Sequence, residues 1–192
     1  QYTDPATVKP APDPIDVETV WIDDAFPSGA QVQSGAGHST TFVDAKKGGH
    51  VYSGKLALKR SNPGLSQDHY SAGAAPLEIP QHGKVMAYVF LDPKDSPKTI
   101  MLQFHKGGWL HRAVWGDYNA IPWGTPNTTQ RVHMGPLPEA GKWVRLDVPV
   151  DAIGLAAGEQ ITGIACTQFG GTVFWDKIGI VGHGSPAADP LH

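Results

Sequence analysis

A chain of 192 residues, 40% hydrophobic and 17% charged, has enough apolar matter for one core and, by its length, one domain. Its 23 glycines and 17 prolines suit many short strands joined by turns better than long helices. A formal net charge of -3 excludes the basic footprint of a nucleic-acid binder, no apolar run reaches the length of a membrane span, and the single cysteine excludes an internal disulfide.

Residues 1–17 hold Pro5, Pro10, Pro12 and Pro14 among small and polar residues, which predicts an extended linker. Gln1 opens no signal peptide, so a processed or excised piece is expected. Strands are predicted at Glu18–Ile22, Lys55–Arg60 and Gln67–Ser71 from period-2 patterning. Val85, Ala87, Val89 and Leu91 then alternate with Met86, Tyr88 and Phe90, both sets apolar, as in a central strand of a sandwich. Asp92-Pro93-Lys94-Asp95-Ser96-Pro97 carries turn chemistry and predicts a hairpin to the next strand. In that strand Ile100, Leu102 and Phe104 share a core face, and Met101, Gln103 and His105 share the other. Further strands are predicted at Lys142–Pro149, Gln160–Gln168 and Thr172–Val181, with one helical turn at Val150–Leu155. Cys166, in an apolar run, reads as a buried, inert thiol. The tail 183–192, with Gly184, Ser185, Pro186 and Pro190, has the character of a second tether. Eight strands, plus whatever 109–116 contributes, predict an all-β sandwich over residues 18–182.

Three of the six tryptophans fall between Trp109 and Trp123. They share that stretch with His111, Arg112 and Tyr118, and no helical or clean strand repeat hides them all. Large aromatics that a core does not need form stacking surfaces, and Arg and His beside them hydrogen-bond hydroxyls or carboxylates. This combination fits sugar rings; the alternative is that some of these rings are core fillers. A groove is expected with Trp109, Trp115 or Trp123 as platforms and Gln103, His105, His111, Arg112 and Tyr118 around them. His69 and Tyr70 would add to one wall. Arg112 either pairs with Asp117 inside the fold or grips an anionic group. In the latter case, with Lys106 nearby, a uronate or sulfated glycan is the natural ligand.

No His-Glu-x-x-His, facing carboxylate pair, Gly-x-Ser-x-Gly elbow or phosphate-cradling glycine loop is present, which argues against an enzyme. Asn127-Thr128-Thr129 matches a glycosylation acceptor pattern and is assigned no role. A protein-docking or structural module remains the alternative to a polysaccharide- or oligosaccharide-binding one.

Gly141-Lys142-Trp143-Val144-Arg145-Leu146, Gly163-Ile164 and Thr172-Val173-Phe174-Trp175-Asp176-Lys177-Ile178-Gly179-Ile180 resemble the closing strands of jelly-roll carbohydrate-binding modules of the galactose-binding-like superfamily. A second resemblance rests on Trp21-Ile22-Asp23-Asp24-Ala25-Phe26-Pro27-Ser28-Gly29-Ala30, His111-Arg112-Ala113-Val114-Trp115-Gly116 and Met134-Gly135-Pro136-Leu137-Pro138. These look like an accessory domain of large bacterial proteins that also carry planctomycete-type cytochrome c domains. No Cys-x-x-Cys-His is present, so any haem belongs elsewhere in such a parent. The resemblance implies a jelly roll of two antiparallel sheets, a non-catalytic sugar-binding role, an exported bacterial setting (periplasmic, cell-surface or extracellular) and neighbouring domains in one longer chain. It also implies a structural Ca²⁺ clipping the first strand to the last, with Asp24 and Asp176 ahead of Asp23 as ligands. The alternative is that Asp23 and Asp24 cap a turn before Pro27 and Asp176 pairs with a strand neighbour.

Overall fold

The computed structural model describes residues 15–34, 41–71 and 75–183; most of the expected linker and tail lie outside them. The strands are β1 (Asp16–Ile22), β2 (Gln31–Ser34), β3 (Thr41–Val43), β4 (Ala57–Ser61), β5 (Leu65–Ser71), β6 (Leu77–Glu78) and β7 (Gln81–Leu91). They continue with β8 (Thr99–His105), β9 (His111–Gly116), β10 (Val132–Gly135), β11 (Trp143–Pro149), β12 (Gln160–Ile161), β13 (Gly163–Phe169) and β14 (Thr172–His183). One sheet runs β11-β7-β14-β4-β3, with β1 also on β14, and the other runs β10-β9-β8-β13-β5-β2. Strands β6 and β12 form a small separate ribbon. The pairings are antiparallel except β10 against β9. The result is the expected all-β jelly-roll sandwich. Among the described residues no helix is long and apolar enough to cross a membrane.

Alternation puts Val85, Ala87, Val89 and Leu91 of β7 against Ile100, Leu102 and Phe104 of β8 in one core, with Val173, Trp175 and Ile180 of β14 and Ile164 and Cys166 of β13. Burial pushes the Cys166 thiol pKa up, keeping it protonated and inert. The other face of β7 is apolar because residues 44–56 cover it: the His50 ring stacks on Phe90 at 3.8 Å and Tyr52 on Tyr88 at 3.8 Å. A buried ion pair joins the sheets, Arg60 Nη2 of β4 lying 2.9 Å from Asp68 Oδ1 of β5.

Several boundaries differ from expectation. The predicted hairpin at 92–97 is a crossover, because both edges of β7 are taken by β11 and β14, so the chain passes to the other sheet and β8 pairs with β9 and β13. The predicted strand 160–168 breaks at Thr162, which leaves the ladder to bond His105 through backbone and hydroxyl. The sandwich begins at Asp16 and ends at His183, which face each other across β1 and β14, so the strands extend into both expected tethers. The helical turn is a 3₁₀ turn at Val150–Ile153.

Candidate functional site

The outer face of the β8 sheet is built by parity. Residues of β8 pointing away from the core are Met101, Gln103 and His105, and the cross-strand partners of Gln103 on the same face are Arg112 on β9 and Ala165 on β13. Ala165 in turn faces His69 of β5, which faces Gln33 of β2. This gives one transverse row, Arg112-Gln103-Ala165-His69-Gln33, across five strands. Gln67, two residues before His69, shares its face.

Two loops raise walls on this row. Residues 106–110 carry Trp109, whose ring meets His105 and His69 edge-on at 5.1 and 5.7 Å and lies over Gly163, where a Cβ would come within 3.2 Å of the indole. Residues 117–131 cross the face on a small second core of Met101, Val114 and Ile121, against which Trp123 and Tyr118 pack. Between them is a pocket of about 260 Å³ lined by Trp109, Trp123, Gln67, His69, Gln103, Arg112 and Ala165. Larger hollows, of about 410, 380 and 330 Å³, lie around Pro80–Lys84 and hold no Phe, Tyr or Trp, and one of about 360 Å³ has Phe42 alone beside Asp44 and three lysines; none has the paired indoles that a saccharide can stack on.

The floor is locked by hydrogen bonds. Arg112 Nε donates to Gln103 Oε1 at 2.7 Å, and Gln103 Nε2 donates to Gln67 Oε1 and Thr167 Oγ1, both at 2.9 Å. Gln103 is 3% exposed, so it positions Arg112 more than it offers itself. Arg112 Nη1 donates to the Gln130 carbonyl at 3.2 Å. Gly124, at φ +84°, lets the loop backbone close on this guanidinium: a Cβ there would lie 2.8 Å from Nη1 and 2.4 Å from the Gln130 oxygen. Burial, and secondarily the charge of Arg131, pushes the Arg112 pKa below its ordinary value, though not far enough to discharge a guanidinium.

Of the residues singled out in the sequence, Trp109, Trp123, Arg112, Gln103 and His69 line the pocket together. Trp115 does not: it is 7% exposed in the core, because it shares parity with Ala113 and opposes Arg112 across the strand. Tyr70 is likewise a core residue, at 2%, since it neighbours outward-facing His69. His111 is on the inward parity of β9 and Nδ1 bonds the Ile153 carbonyl at 2.6 Å. His105 bonds Thr162 and buttresses Trp109. Tyr118 holds the 117–131 loop, donating to the Arg131 carbonyl and accepting from the Asn127 N–H. Asp117 does not pair with Arg112; its carboxylate accepts the Asn119 N–H in a turn. Gln67 and Ala165 were missed, although Gln67 follows from His69 by the period of two.

The three aspartates converge on residues 52–56. Both oxygens of Asp24 accept the Lys55 N–H and Oδ1 also accepts that of Leu56. Oδ2 of Asp176 accepts the N–H groups of Tyr52 and Ser53, and Oδ1 accepts that of Lys177. Oδ2 of Asp23 accepts the Ser53 hydroxyl. Burial, opposed by these N–H donors and reinforced by Asp23, raises the Asp176 pKa to about 6. Calcium needs about six to eight oxygens. Of the six oxygens of these three aspartates only Asp23 Oδ1 is buried without a partner, the Ser53 hydroxyl and backbone N–H groups occupy the rest, and no group of three or more His, Cys, Asp or Glu among the described residues could hold a metal ion. The donor set as placed does not fit the calcium that the resemblance implies.

No protein-family model matches the sequence, and no curated protein matches it. Among solved structures, the family 11 carbohydrate-binding module from Clostridium thermocellum, in complex with a β-1,3-1,4-mixed-linked tetrasaccharide, is similar with a TM-score of 0.53 at 13% identity, over 88% of this chain and 99% of that one. The K1 cleaved adhesin domain of Lys-gingipain from Porphyromonas gingivalis W83 is similar with a TM-score of 0.51 at 13% identity, again over 88% and 99%. At such identities the likeness is one of fold.

Proposed function

We propose that this domain is a non-catalytic carbohydrate-binding module that takes a short stretch of polysaccharide or oligosaccharide between Trp109 and Trp123. The observation that carries the reading is the pairing of two partly exposed indoles with a hydrogen-bonded polar floor of Gln67, His69 and Arg112 on the outside of a rigid sheet. Pyranose C–H faces pack on aromatic rings, and the floor supplies oriented donors and acceptors for hydroxyls. The pocket is smaller than the roughly 300–1,000 Å³ of enclosed small-molecule sites, which suits one or two sugar units of a chain that continues outside. Its lining offers no carboxylate pair and no nucleophile with a base, so binding is the role the chemistry supports. The setting in which such a module makes sense is an exported bacterial protein with further domains, as the likeness to the cytochrome c-associated accessory domain implies. A calcium clip is not part of this proposal.

The test is retardation in affinity gels and binding to a broad glycan array. Trp109→Ala and Trp123→Ala should abolish binding while circular dichroism stays that of the parent. Silence of the parent across the array, with a protein captured through the same tryptophans, would overturn the reading in favour of a docking module.

A further inference from the structure

The pocket and the loop above it carry positive charge with no counter-charge. Arg112 donates to an amide oxygen and a carbonyl, and neither it nor Arg131 forms an ion pair among the described residues. Arg131 is 5% exposed. Its Nη1 donates to the Ile121 carbonyl, its guanidinium lies 4.7 Å from the Tyr118 ring centroid, and its Nε is buried without a partner. The acidic residue nearest Arg112 in the sequence, Asp117, has its carboxylate in a turn with the Asn119 N–H. No acidic side chain lines the pocket among the described residues. Burying guanidinium groups without carboxylates is costly unless an anion completes the site. Arg112 keeps three of its five N–H donors for such an anion, and Gln103 fixes the plane in which they point.

We propose that the occupant is an anionic saccharide, a uronosyl unit whose carboxylate lies on the remaining N–H groups of Arg112 while its ring packs against the indoles. The inference rests on the carbohydrate-binding reading above and narrows its ligand. A planar carboxylate matches a planar guanidinium. In a uronic acid the charge sits one bond from the pyranose ring, which suits a pocket where Arg112 and the indoles border the same small volume. A sulfate ester offers the same charge at a longer reach and is the rival source.

The experiment uses oligouronides of galacturonic, glucuronic, mannuronic and guluronic acid, each beside its carboxyl-reduced neutral counterpart, and sulfated neutral oligomers, titrated calorimetrically at physiological salt. At least one uronide should bind the parent roughly ten- to hundredfold more tightly than its reduced form, the worth of one charge-assisted hydrogen-bonded contact. Arg112→Gln should erase that preference, bringing the uronide and its reduced form to the same affinity. The comparison between uronide and reduced oligomer needs no variant, so a folding defect in Arg112→Gln cannot hide the answer. Equal affinity for both forms would overturn the anionic ligand and leave the carbohydrate-binding reading standing. Binding of sulfated oligomers without uronides would overturn the carboxylate. No binding to any saccharide, charged or neutral, would remove both readings together.

Discussion

Trp109 and Trp115 stand six residues apart and look alike in the sequence, yet the structure assigns them opposite tasks, and truncating each to alanine separates them. Trp115 is 7% exposed and packs in the main core, so Trp115→Ala should cost about 3–5 kcal/mol, the range for emptying a large aromatic site. For a chain of 192 residues each kcal/mol moves Tm by about 2–4 °C, so the melting temperature should fall by about 6–20 °C. Trp109 sits on a loop, with edge contacts to two histidines and Gly163. Its removal should cost about 1 kcal/mol or less, as surface substitutions do, while glycan binding disappears. Thermal melting by circular dichroism and affinity electrophoresis on the same preparations give both quantities. If Trp115→Ala melts with the parent, or Trp109→Ala falls as far as Trp115→Ala, the parity argument that places these rings is wrong.

The buried pair Arg60–Asp68 should behave as a specificity device. Asp68→Leu alone strands a buried cation and should lose about 3–5 kcal/mol in urea unfolding, whereas Arg60→Met with Asp68→Leu should be near neutral or more stable; equal losses in the single and double variants would contradict this. Asp176 has a folded-state pKa of about 6, above the ordinary carboxylate value of about 3.9, so folding favours its protonated form. Its contribution is full below about pH 4 and is lost as pH rises through 6, a loss on the order of 1–3 kcal/mol for a carboxyl that titrates together with Asp23. The decline should show in denaturant titrations across that range, should shrink in Asp23→Asn, and should not respond to millimolar calcium. A decline that calcium flattens and a chelator restores would return the metal clip to the molecule. Gly124→Ala forces a side chain at φ +84° against Arg112 and should cost about 1–3 kcal/mol of loop strain, read as weaker ligand binding with a small shift in Tm; unchanged affinity would show that the loop does not set the arginine.

The sequence made β7 and β8 legible because eleven- and seven-residue strands leave room for alternation to show. Strands β2, β3, β6 and β10, of two to four residues, give no period to read. The aromatic stretch supplies Trp109, Arg112 and Trp123 of the candidate pocket, but which rings face outward depended on where β9 begins. Once His111 starts the strand, parity sends Arg112 out and Trp115 in. Trp109 precedes the strand and follows no parity. The fate of the aspartates was hidden for another reason: Asp24 and the N–H groups of Lys55 and Leu56 are some thirty residues apart, and turn geometry, not residue type, decides whether a carboxylate meets donors or a cation.

Strand β14 joins β7, β4 and β1, so the middle of one sheet is the final piece of the fold to be synthesised. Until residues 172–183 have emerged from the ribosome, those three earlier strands have no common neighbour and expose their ladder edges. Closing this sheet is therefore dominated by long-range pairing, which is slow.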